Sequence, residues 1–158
     1  MERVNKILSR AEFTGIMERI KAAERGRIYC LHGLEHAVDT ARICYIINLE
    51  ESAGIKKDVI YAAALLHDTG RACQYEDGTP HQEASVAFAA ELLPKCGFSA
   101  EETAEIAAAI DTHRGGAARN RLGELLRRAD DLSRLCFDCD ARATCKWSAE
   151  EMNMRIVY

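Results

Sequence analysis

Ala63-Ala64-Leu65-Leu66-His67-Asp68-Thr69-Gly70-Arg71 sets an apolar run directly against a histidine and a carboxylate. The run begins at Val59 and shows no period-two alternation, so it reads as a core helix delivering His67 and Asp68 at its end. A carboxylate there is costly unless it is paired. Other segments offer partners. Between about 34 and 53, His36, Thr40, Ile43, Cys44 and Ile47 share one helical face. Further on, Ile106, Ala109, Ile110 and His113 do the same, as do Leu122, Leu126, Ala129, Asp130 and Ser133. Histidines and carboxylates thus recur on faces that point inward, and a metal ion would partner them together.

The surrounding chain reads as helix throughout. Ala, Leu, Glu, Lys and Arg dominate, and β-branched and aromatic alternation is nearly absent. Helices are expected at about 10–25, 34–53, 57–68, 82–96, 99–113 and 120–136. Ser99 and Glu102 have the spacing of a capping box. Arg71 to Pro80 reads as a loop, with Asp77-Gly78 and Thr79-Pro80 as turn signals. Gly115-Gly116 breaks the chain, and the tail from Ser148 is expected to start helical. The length of 158 residues fits one domain, 1–158, with a cysteine-rich C-terminal extension at about 136–158.

Charge and composition exclude several classes. Lys and Arg total 21 against 25 Asp and Glu, a net charge of −4. That argues against a protein that coats nucleic acid, whose affinity comes mainly from neutralising phosphates. No apolar run approaches membrane-spanning length. Met-Glu-Arg-Val-Asn-Lys-Ile has no secretory apolar stretch, and seven cysteines without an export signal point to a cytoplasmic location. The odd cysteine count argues against a closed disulfide framework.

The chemistry concentrates in His36, His67, Asp68, His81, His113 and Asp130. Imidazole with carboxylate suits a divalent metal with open positions, and iron, manganese, zinc, cobalt and nickel all stay open. Six ligands suffice for two ions bridged by a carboxylate, an arrangement that clamps a phosphoryl group. One ion or two is left open at this point. Any one of these histidines alone could be a hydrogen-bonded core residue; their ordered pattern is what favours metal.

His32-Gly33-Leu34-Glu35-His36, the Leu65-Leu66-His67-Asp68-Thr69-Gly70-Arg71 segment and Arg128-Ala129-Asp130-Asp131-Leu132-Ser133-Arg134 together resemble the HD-domain superfamily of metal-dependent phosphohydrolases. The resemblance covers roughly Ile28 to Arg134. It implies an all-α HD-domain helical bundle with a central metal site. It also implies a hydrolase that attacks a nucleotide or other phosphate ester with metal-bound hydroxide. His36, His67, Asp68 and Asp130 match the family's core ligands, and His81 and His113 match the extra histidines of its binuclear members. Asp68 would bridge, and Arg71 would help neutralise the phosphate. His32 reads as a residue that orients His36 or the helix start.

The chain departs from the family at two points. Arg71 stands where many members carry Lys, keeping the charge in a planar fork. Asp131 stands where many carry Lys in the closing motif. Six-ligand HD sites also occur in di-iron oxygenases, and a non-catalytic nucleotide-binding HD module or a structural interaction protein are further alternatives. The substrate and the oligomeric state stay open.

Arg71, Arg114 and Arg134 each neighbour a proposed ligand and are candidate phosphate contacts; the plain alternative is solvated surface charge. Cys136, Cys139 and Cys145 form Cys-x2-Cys-x5-Cys, a spacing that suits zinc or an iron–sulfur cluster. Such a site would staple the tail after Trp147 to the bundle. The plain alternative is ordinary buried cysteine.

Overall fold

The computed structural model describes residues 1–113 and 117–158. Among them are eight α-helices and no strand: α1 Glu2–Leu8, α2 Ala11–Ala23, α3 Leu34–Glu50, α4 Lys57–Leu66, α5 Arg71–Asp77, α6 His81–Lys95, α7 Ala100–Asp111 and α8 Arg121–Leu132. Two single 3₁₀ turns follow, at Cys136–Asp138 and Arg142–Thr144. The all-α expectation holds.

The apolar run that ends in His67-Asp68 is the axis of the bundle. Val59, Ile60, Ala62, Ala63, Ala64, Leu65 and Leu66 are all buried on α4, which is packed by α3, α7, α8, α1 and α6. Each large apolar side chain so buried contributes about 1.5–3 kcal/mol. The alanines let neighbouring helices come close. The inward faces read from α3, α7 and α8 are buried as expected: Thr40, Cys44 and Ile47, then Ile106, Ala109 and Ile110, then Leu122, Leu126 and Ala129.

α7 opens on the expected capping box. The Glu102 N–H donates to Ser99 Oγ, and the Ser99 N–H donates back to Glu102 Oε2, both at 3.1 Å. Glu102 also accepts from Arg3 and Lys56, and Arg3 donates to Asp58 at 2.8 Å. This cluster ties α1 to α4 and α7.

The helices depart from the sequence expectation in four places. α1 was not anticipated; it is short, and only Val4 and Ile7 mark its buried face. The expected loop Arg71 to Pro80 is mostly helix α5, because Arg71 and Ala72 turn inward and Gln, Tyr and Glu continue the turn. Gly78 ends it in the left-handed region at φ 82°. α8 stops at Leu132 rather than near Cys136. The segment from Ser148 forms turns rather than a helix. Gly115-Gly116 lies outside the described residues.

The tail is tied down by polar contacts. Asn153 Nδ2 donates to the carbonyls of Asp131 at 2.6 Å and Arg134 at 3.0 Å, and the Phe137 N–H donates to the Asn153 carbonyl at 3.1 Å. The Arg134 guanidinium lies 4.7 Å from the centroid of the Trp147 ring.

Candidate metal centre

Each side chain is delivered by a helix end or an inward face. α3 brings His36 on its first turn. α4 ends at Leu66, and His67-Asp68 follow in the tight turn before α5. α6 opens at His81, His113 lies in the turn just after α7, and α8 carries Asp130 on its buried face. Gly70 makes the turn possible. A Cβ there would stand 2.0 Å from the His81 carbonyl oxygen, and the Gly70 N–H donates to Ser85 Oγ at 2.8 Å. α6 therefore packs backbone to backbone against the turn, which sets His81 beside Asp68.

Asp68 is the shared residue. His36, His67 and Asp68 form one group whose ligand atoms lie within 4.8 Å of one another, and Asp68, His81 and His113 form another. Asp68 Oδ2 is 3.4 Å from His67 Nε2 and 3.8 Å from His36 Nε2. Asp68 Oδ1 is 3.5 Å from His81 Nε2 and 3.7 Å from His113 Nε2. Asp130 Oδ1 closes on the first group, 3.2 Å from His36 Nε2 and 3.8 Å from His67 Nε2.

The hydrogen bonds fix which nitrogen faces inward. His67 Nδ1–H donates to the Ala64 carbonyl at 2.7 Å and His113 Nδ1–H to the Ile110 carbonyl at 2.6 Å. A carbonyl only accepts, so each Nδ1 carries the hydrogen and each Nε2 turns toward Asp68. Ser133 Oγ–H donates to the Asp130 carbonyl at 2.7 Å, which leaves its oxygen to accept from His36 Nδ1 at 3.1 Å. The same tautomer follows for His36.

These side chains fit a divalent metal on direct observation. His36 Nε2, His67 Nε2 and Asp68 Oδ2 are buried and make no hydrogen bond. Three orphaned atoms converging in one place are costly unless a cation joins them. The electrostatics agree. Burial opposes a charge on His67, yet Asp68 and Asp130 overcome it and push the imidazole up to about 10. Burial likewise opposes charge on Asp68 and Asp130. The cationic His67 beside Asp68, and the His36 and His67 imidazoles beside Asp130, hold both well below the usual carboxylate range. A proton on His67 thus stands where a metal would sit, and metal binding would displace it.

An HD domain family model matches residues 33–142. The chain belongs to the HD domain family. An uncharacterized protein of Clostridium beijerinckii is 42% identical to this HD domain protein over 158 residues, covering all of both chains. A solved structure, a predicted HD superfamily hydrolase from an uncultured Thermotogales bacterium, superimposes with a TM-score of 0.61 at 28% identity. That similarity covers 75% of this HD domain chain and 66% of the other.

The remaining expected residues fare differently. Arg71 is buried: Nε donates to Asp68 Oδ1 at 3.0 Å, Nη1 to Gln74 at 3.2 Å, and Nη2 makes no hydrogen bond. Arg134 donates through Nη2 to Asp130 Oδ1 at 2.8 Å and stacks on Trp147, so it holds the carboxylate. Arg114 lies outside the described residues. Cys136, Cys139 and Cys145 join no group of three ligand atoms within 4.8 Å among the described residues. Glu35 and Asp39 are exposed. Glu24 and Tyr75, both bonded to His32 or its partner, were not anticipated, since nothing in their spacing links them to the motif.

Proposed function

We propose that this HD domain protein is a metal-dependent phosphohydrolase acting on a nucleotide or another phosphate ester, with a two-ion centre shared through Asp68. The observation that carries this reading is the division of Asp68. Each of its oxygens faces a different pair of imidazoles. His36, His67 and Asp130 would hold one ion and His81 and His113 the other. Bound in pairs, divalent ions supply a nucleophile at neutral pH and neutralise charge on a transferring phosphoryl group.

The chain's own groups complete the site. Arg71 positions Asp68 through Nε and keeps Nη2 buried and without a hydrogen bond, available for a phosphate oxygen. Arg134 keeps Asp130 oriented toward His36 and His67. Ser133 and the carbonyls of Ala64 and Ile110 hold the imidazoles in the tautomer a metal requires. The name of the Thermotogales structure, a predicted hydrolase, agrees with this reading.

The test is hydrolysis of a panel of phosphomonoesters and phosphodiesters by protein loaded with manganese or iron, with oxygen consumption followed in parallel. Hydrolysis by the parent and its loss by at least 100-fold in Asp68→Ala is the expected result. Undiminished hydrolysis in Asp68→Ala would overturn the mechanism, and oxygen consumption in place of hydrolysis would reassign the chemistry.

A further inference from the structure

His32 belongs to neither metal-holding group, yet it is 3% exposed and built into place. Glu24, itself buried at 7% exposure, receives three hydrogen bonds. The His32 backbone N–H donates to Oε2 at 2.8 Å, the Tyr75 O–H donates to Oε1 at 2.6 Å, and His32 Nδ1 lies 2.5 Å from Oε1. An ionised carboxylate only accepts, so Nδ1 carries a hydrogen, and in the neutral imidazole Nε2 keeps its lone pair. Among the described residues Nε2 makes no hydrogen bond to protein. It lies 4.0 Å from Asp68 Oδ2, which makes none either.

Two such atoms 4.0 Å apart leave room for one water oxygen at about 2.8 Å from each. His32 belongs to neither group of close ligand atoms, and its Nε2 faces Asp68 Oδ2 at 4.0 Å. Burying a carboxylate with three donors is a large investment for a histidine that merely fills space. We propose that His32 is a further catalytic residue, whose Nε2 accepts a hydrogen bond from the water that attacks phosphorus beside Asp68. Glu24 and Tyr75 are positioning residues that fix its tautomer and direction. This inference rests on the phosphohydrolase reading for its consequence in turnover, but its geometry does not.

The experiment has two arms. In zinc-loaded, nitrogen-15-labelled protein, the imidazole nitrogen shifts of His32 should show a protonated Nδ1 and an unprotonated Nε2. Glu24→Gln should move that tautomer balance while leaving metal content unchanged. A protonated Nε2 in the parent would overturn the assignment. In turnover of p-nitrophenyl phosphate and bis(p-nitrophenyl) phosphate, His32→Ala should lower kcat by about 10²-fold, with KM and metal content within about twofold of the parent. Tyr75→Phe should give a smaller, several-fold fall in kcat. Unchanged kcat in His32→Ala would overturn the role, and so would loss of metal, which would make His32 a ligand. Should His32→Ala fail to fold, Tyr75→Phe and Glu24→Gln carry the same comparison. A parent that hydrolyses neither ester would count against the phosphohydrolase reading, and the nitrogen-15 arm would still decide the state of His32.

Discussion

The Cα of Gly70 lies so close to His81 that a methyl group added to it would stand 2.0 Å from the His81 carbonyl oxygen and 2.6 Å from the Ser85 nitrogen. Both obstacles are backbone and cannot rotate away. Gly70→Ala must therefore push α6 off the turn after α4, and His81 moves with it. Overpacking of this kind costs about 1–3 kcal/mol or more. The variant should melt several degrees below the parent and should lose first the ion proposed for His81 and His113. Thermal unfolding with metal analysis on the same sample checks both, and full occupancy with an unchanged Tm would refute the packing argument.

Stability should fall in acid through Glu102. Hydrogen bonds from Arg3, Lys56 and the Ser99 amide depress this carboxylate to about 2, outweighing its burial. The group is charged in the fold at pH values where the unfolded chain has already taken up a proton. Its contribution is thus fully present above the ordinary glutamate range, near 4.3, and is lost as pH falls toward about 2. Between pH 5 and 2, parent Tm should fall more steeply than that of Glu102→Gln. Parallel Tm curves would show that the Arg3 cluster contributes nothing.

The tail should depend on Asn153 rather than on its thiols. Asn153→Ala removes both amide hydrogen bonds to the end of α8, at about 0.5–1.5 kcal/mol each. Its Tm should drop by about 2–12 °C for a chain of this size. Cys139→Ser should leave Tm within about 1 °C, since Cys139 joins no ligand group. The reverse order of the two variants would restore the idea of a cysteine staple.

Much of this centre was legible in the sequence because the relevant physics is local. The apolar run into His67-Asp68 announces a core helix with charge at its end, and helical spacing puts His36, His113 and Asp130 on inward faces. The capping box at Ser99 and Glu102 was likewise visible. Other features depend on contacts between distant segments. Helix α5 is stabilised by turning Arg71 onto Asp68, which propensity cannot show beside Asp77-Gly78. Glu24 meets His32 and Tyr75 only after α2 and α5 pack together. The cysteine spacing suggests a ligand set, and Cys136, Cys139 and Cys145 join no group of three close ligand atoms among the described residues.

The division of Asp68 between two histidine pairs is tested most directly by counting metal ions per chain. Elemental mass spectrometry on protein saturated with manganese and then desalted should give two ions for the parent, one for His81→Ala, and none or nearly none for Asp68→Ala. A parent that retains no ion, or an Asp68→Ala variant that retains as many as the parent, would contradict the account.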